Sequence, residues 1–249
     1  MKSVCLSDRG KVRPHNEDSC GVFKNNDGLT LAVVADGMGG HRAGDVASSM
    51  ATSLLKERWE QSSDIETPEH AEKWLQTNIS RLNSELYKHS QENSECLGMG
   101  TTIDAVICSN TFATIAHIGD SRCYLSNTNG FNQLTNDHTL VNELVRSGQI
   151  SKEDAEHHPR KNVILRALGT EQTVEIDMKT IIFEEEDMLL LCSDGLTNKI
   201  PELELKSILH TNEELEQKAQ LLVQMANDNG GEDNITLVIV QYPSMSESG

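Results

Sequence analysis

The sequence predicts an α+β fold in which helices cover a large, mostly antiparallel sheet system. Three observations carry that expectation: nine short β-rich runs, three long amphipathic helices placed two early and one late, and gaps of hairpin length between most strands. At 249 residues the chain can bury a sizeable core, and 37% hydrophobic with 24% charged residues excludes the disordered and collagen-like classes.

In chain order, strands are expected at Ser3 to Leu6, Ser19 to Phe23, Leu29 to Ala35, Thr101 to Cys108 and Thr111 to Ile118. Others follow at Arg122 to Leu125, Glu175 to Phe183, Met188 to Cys192 and Ile235 to Gln241. A helix starts at about Ala43 ("AGDVASSMATSLLKERWE"). A second starts at Pro68, with Trp74, Leu75, Ile79, Leu82 and Leu86 along one side. A third starts near Asn212, with Leu215, Ala219, Leu222 and Ala226 as its stripe. Pro68 in a first turn and the glycines after Asn229 are sensible start and stop signals. The segment from Asp137 to Leu168 is polar and helix-prone and interrupts the strand-rich half, so it reads as a flap leaving the sheet. No repeat or linker divides the chain. One domain is expected over 1–243, with 244–249 a short flexible tail.

Charge narrows the function classes. With 39 acidic against 21 basic residues the net charge is −18, which disfavours binding to nucleic acid or to an anionic membrane. The longest apolar runs, such as "MLLLC" and "ITLVIV", are strand-sized, and no signal peptide is evident at "MKSVCLSDRGKV". Six isolated cysteines fit reduced thiols, and the expected location is the cytoplasm. An anionic substrate would need local positive charge, which a divalent cation can supply.

The acidic residues repeat a local grammar. "LAVVADG" ends at Asp36 and Gly37, "ATIAHIGDSR" reaches Asp120, "MLLLCSDG" ends at Asp194, and "GGEDN" places Asp233 just before a strand. Asp18, in "RPHNEDS", precedes another. Any one Asp-Gly after an apolar run is more often a hairpin turn than a ligand. Jointly, strand ends of one sandwich can converge at one edge, where the carboxylates repel each other unless a hard cation sits among them. All-oxygen ligation suits magnesium or manganese better than zinc.

As a set, "SDRGKVRPHNEDS", "VADGMGGHRAGDVAS", "GMGTT", "AHIGDSRCYL", "LTNDHT", "RALG", "LLLCSDGL" and "DNITLVIV" resemble the metal-dependent type 2C serine/threonine protein phosphatases, in their bacterial form. The resemblance runs in family order from Ser7 to Val240. It implies a four-layer α-β-β-α sandwich whose two central sheets are flanked by helices. It implies Asp36 bridging two Mn2+ or Mg2+ ions, the Gly37 carbonyl on one of them, and Asp194 and Asp233 as further ligands. Asp120, with Asp194, falls at a weaker third site. Glu17 and Asp18 hold metal-bound water in an outer shell, and Arg13 grips the substrate phosphate.

Two adjacent cations can lower the pKa of a bridging water and produce hydroxide near neutral pH, for in-line attack on phosphorus. Arg13 can give charge-assisted, bidentate hydrogen bonds to the phosphoryl oxygens. The eukaryotic branch has a histidine, a proposed general acid, where this chain has Met38. His41, three residues on, is the candidate acid here, with metal-bound water as its rival. Asp36 is expected on a turn, with Gly39 and Gly40 allowing close backbone approach.

Other residues take structural readings. His117 is a satisfied strand histidine, His157 and His158 are solvated, Glu184 to Asp187 is a hairpin turn, and "GMGTT" packs backbone beside the sheet. No cysteine is followed six positions later by arginine, and DxDxT, GxSxG, HExxH and P-loop motifs are absent. The expectation is therefore a monomeric phosphatase acting on phosphorylated proteins, opposing a Hanks-type kinase. The alternatives are a partner-switching phosphatase or a non-catalytic phosphoprotein-binding regulator.

Overall fold

The computed structural model describes residues 1–39 and 43–242, apart from the side chain of Glu156. In chain order the strands are β1 (Lys2–Asp8), β2 (Asp18–Lys24), β3 (Thr30–Met38), β4 (Gly100–Thr101), β5 (Ile103–Cys108) and β6 (Phe112–Ile118). They continue as β7 (Arg122–Asn127), β8 (Gly130–Gln133), β9 (Asp177–Ile182), β10 (Met188–Cys192) and β11 (Ile235–Gln241). The helices are α1 (Ala43–Glu60), α2 (Pro68–Glu92), α3 (Leu140–Arg146), α4 (Lys152–Glu156), α5 (Asp194–Thr197), α6 (Glu202–Leu209) and α7 (Leu215–Asp228).

Two sheets form, in the orders β1-β11-β10-β7-β8 and β2-β3-β5-β6-β9, with β4 beside β3. Their strand pairs are antiparallel, as the hairpin-length gaps require. Three apolar layers hold them. Ala32 and Val34 of β3 meet Leu189 and Leu191 of β10 and Val238 and Val240 of β11 between the sheets. The alternate residues Leu31, Val33 and Ala35 face α1 and α2. On the other sheet, Leu190, Leu237 and Ile239 face α6 and α7. A strand buried on both faces loses polar alternation, which is why "LAVVA" and "TLVIV" read as continuous apolar runs. The order of layers is α-β-β-α.

The long helices follow their sequence signals. The α2 helix is capped by the Thr67 hydroxyl, which accepts from the His70 N–H, with Pro68 opening the first turn. Its buried stripe is Ala71, Leu75, Ile79, Leu82 and Leu86. In α1, Ala43, Ala47, Ala51 and Leu55 recur every four residues and bury completely or nearly so, a small-residue face that lets the helix lie close on β3.

Two expectations change and one strand is added. The strand expected from Thr101 breaks at Thr102, whose hydroxyl, rather than its carbonyl, accepts the Asp36 N–H at 2.9 Å. β8 is too short and polar to have been signalled. The acidic run Glu184 to Asp187 is not a hairpin, because β9 and β10 lie in different sheets. It is a crossover, and the Asp187 carboxylate accepts the Glu184 N–H at 3.1 Å. Between β8 and β9 the chain leaves both sheets and forms α3 and α4. It re-enters where Leu165 N–H donates to the His138 carbonyl (2.7 Å) and Leu168 pairs with Thr101. The 244–249 tail lies outside the described residues.

Candidate active site at one edge of the two sheets

Register brings the aspartates to one edge. In the sheet that holds β2 and β3, Asp18 and Asp36 are direct cross-strand partners. In the other, Cys192 pairs with both Arg122 and Leu237, so the residues just beyond these strand ends, Asp120, Asp194 and Asp233, share one end.

Neither Asp-Gly is a hairpin turn. Asp36 and Gly37 lie inside β3, and Asp194 opens α5. Gly37 and Gly195 are absent from the positive-φ glycines, so the reason for glycine there is space. A Cβ on Gly37 would strike the backbone of Gly44 in α1 and of Glu17, and one on Gly195 would strike the Asn234 carbonyl. Each glycine thus lets another segment close onto the backbone beside an aspartate. Gly40 and His41, the candidate acid, lie outside the described residues.

The electrostatics record the convergence. Burial pushes the Asp36 carboxyl well above the ordinary carboxylate range, and Asp18, Asp194, Asp120 and Asp233 push it further in that order. Burial raises Asp18 to about 7, opposed by hydroxyl hydrogen bonds, with Asp194 and Asp233 adding to the rise. Burial and then Asp194 raise Asp120 to about 7, and burial and Asp233 raise Asp194 to about 6. Glu17 is raised by burial against the pull of Arg13.

Neutral and cationic partners hold these groups. The Arg13 Nη2 donates to Asp233 Oδ2 at 2.7 Å. Burial would lower the Arg13 pKa, but Asp233, Glu17 and Asp36 outweigh it and keep the guanidinium charged. Asn198 Nδ2 donates to Asp194 Oδ2 at 3.0 Å, and Ser193 Oγ to Asp18 Oδ2 at 2.7 Å. The other Asp18 oxygen, Oδ1, is buried with no hydrogen-bond partner. Among the described residues no three His, Cys, Asp or Glu side chains stand in a finished metal cage. The gathered acidic groups and the unsatisfied Asp18 oxygen carry a cost that a bound cation would offset, while Asp18, Asp194 and Asp233 are engaged by the neighbours just named.

Sequence reasoning missed several residues that position this edge. Asn234 accepts the Glu17 N–H (2.8 Å) and donates to the Arg9 and His15 carbonyls (both 2.9 Å), shaping the loop that carries Arg13. Thr102 links the Asp36 N–H to the Ser121 hydroxyl (2.7 Å), a role for "GMGTT" beyond close packing. Asn198 was legible, four residues beyond Asp194 at a helix start. His117 is structural as expected, its Nδ1 2.7 Å from Asp104 Oδ1 and its Nε2 3.0 Å from the Asn136 carbonyl oxygen.

A helix-flanked pair of antiparallel sheets with acidic groups gathered at one edge matches a defined enzyme class. The family model for protein phosphatase 2C matches residues 11–236. The chain belongs to the protein phosphatase 2C family, as a serine/threonine phosphatase of the bacterial type. It is 51% identical to the serine/threonine phosphatase stp of Listeria monocytogenes, over 97% of this chain and 96% of the relative. It is similar in structure to the serine/threonine phosphatase Stp1 from Staphylococcus aureus, with a TM-score of 0.93 at 39% identity over 98% and 95% of the two chains. It also resembles the catalytic domain of the serine/threonine protein phosphatase PstP in complex with two manganese ions, with a TM-score of 0.85 at 32% identity over 98% of each chain.

Proposed function

We propose that this phosphatase hydrolyses phosphoserine and phosphothreonine monoesters on proteins with two divalent cations, Mn2+ or Mg2+, held at the aspartate edge. The observation that carries the reading is the burial of Asp18, Asp36, Asp120 and Asp194 close enough to raise one another. The manganese-bound PstP relative supports it. Asp36, the Gly37 carbonyl, Asp194 and Asp233 would hold the core pair, Asp120 with Asp194 a weaker third ion, and Glu17 and Asp18 the surrounding water. Cations so held supply a nucleophile from water near neutral pH and neutralise phosphoryl charge.

The chain's own groups do the rest. Arg13, kept charged beside Asp233, binds and orients the phosphoryl oxygens by charge-assisted hydrogen bonds. Asn234 fixes the loop that presents it. His41 is the proposed proton donor to the leaving oxygen. The reading extends to a single domain over 1–243 with a flap at 137–168, a monomer in the cytoplasm, and a Hanks-type kinase as the opposing activity.

The test is hydrolysis of a phosphothreonine peptide with manganese, with chelator, and with Asp36→Asn. Phosphate release should require manganese and collapse in the variant. A rate that survives both chelator and mutation would remove the metal reading.

A further inference from the structure

A groove of about 710 Å3 is lined by Asp120 and Asp194 and by residues of the α3–α4 excursion, Lys152 and Lys161 among them. On a chain of net charge −18 that placement runs against the average. The other charges on the groove do not cancel it. Asp137 is spent on Arg122, which grips it through Nε (3.0 and 3.1 Å) and Nη2 (2.7 Å). Outside the aspartate edge that leaves Glu202 as the one described acid on the lining without such a partner.

The described side chains of the short helix α4 divide by charge. Lys152 and Ala155 line the groove, whereas Glu153 and Asp154 do not. Asp154 is turned back onto Ser151, accepting from its hydroxyl at 2.8 Å. Neither Lys152 nor Lys161 has a described side chain bonded to its ammonium group, and both residues are exposed.

A phosphorylated residue whose phosphate sits at the aspartate edge has this groove open beside it. There an anionic neighbour meets the cationic side chains Lys152 and Lys161 on the lining. We propose that the groove selects phosphoproteins with an anionic side chain, a carboxylate or a second phosphate, beside the scissile phosphoresidue, and that Lys152 and Lys161 read that charge. The proposal rests on the phosphatase reading and names the substrate class of that site.

Three phosphothreonine peptides of equal length test it: one with neutral flanks, one with aspartate flanks and one carrying a second phosphate. They are assayed with manganese on the full chain and on the K152A/K161A double variant, with p-nitrophenyl phosphate as a substrate that has no flanks. For two exposed charge contacts the KM of an anionic peptide should lie about three- to tenfold below that of the neutral one. The difference should shrink with added salt and vanish in the double variant, with kcat and p-nitrophenyl phosphate turnover unchanged. A gain confined to the doubly phosphorylated peptide supports the proposal with phosphate as the anion; a gain for both supports a general anion site. Equal KM values for neutral and anionic peptides, or a preference the double variant keeps, overturn it. Loss of p-nitrophenyl phosphate turnover in the unaltered chain would instead bring down the phosphatase reading, and this proposal with it.

Discussion

One sheet holds two cross-strand pairs of ionisable residues built on opposite principles. Asp104 on β5 faces His117 on β6, and Asp18 on β2 faces Asp36 on β3. The first pair is complementary. Both ring nitrogens of His117 meet acceptors, the Asp104 carboxylate and the Asn136 carbonyl, and although burial works against it these two raise its pKa. The second pair sets like charges against each other, an arrangement that destabilises a sheet. Asp104 thus has a cationic partner at its Oδ1, although its Oδ2, like Asp18 Oδ1, is buried without a hydrogen bond. Where like charges are instead gathered together, the local cost marks chemistry.

Asp36→Asn gives the largest separation of the two roles. Phosphopeptide turnover should fall by about 10³-fold, while the unfolding temperature in chelator stays level or rises because a repulsive charge has gone. A fall in both would make Asp36 a stabilising residue like Asp104. His117→Ala is the mirror experiment: it strands the Asp104 carboxylate in the core and should cost about 3–5 kcal/mol of stability by denaturant unfolding. A loss below about 1 kcal/mol would remove the contrast.

The pH dependence sharpens it. Asp18 and Asp120, at about 7, and Asp194, at about 6, lie above the 3.8 of a free aspartate. The native chain keeps protons that the unfolded chain releases, so this contribution is full below about pH 4 and is lost as pH rises through about 7. A divalent cation needs the ionised forms, so its stabilising effect runs the other way. The difference in unfolding temperature between saturating manganese and chelator should be about 5–10 °C at pH 7.5 and less than half that at pH 5. Taking the difference cancels groups remote from the edge, such as His138, which burial lowers to about 4. A gap that does not change with pH would place the cation elsewhere. The smallest effect belongs to Ser193→Ala, which removes the hydroxyl bonded to Asp18 and should cost about 1–2 kcal/mol in chelator.

Much of the fold was legible because its signals are local. The bounds of Met188–Cys192 and Ile235–Gln241 follow from apolar runs, and α2 from Thr67, Pro68 and an apolar stripe. The polar strand β8 and the crossover at Glu184 to Asp187 were not legible, because whether two strands share a sheet is a long-range fact.

The site divides the same way. Sequence by itself marked Asp36, Asp120, Asp194 and Asp233 as carboxylates that each adjoin an apolar run or strand. Only the tertiary structure decided that they meet. Antiparallel register set Asp18 against Asp36, and the pairing of β7, β10 and β11 carried Asp120, Asp194 and Asp233 to one end. It also decided what the glycines are for. Gly37 and Gly195 look like turn residues in sequence, but in space they leave room for the backbones of Gly44 and Asn234 to close beside the aspartates. Local composition can fix a residue's conformational options; its neighbours, and so its charge, come from segments far away along the chain.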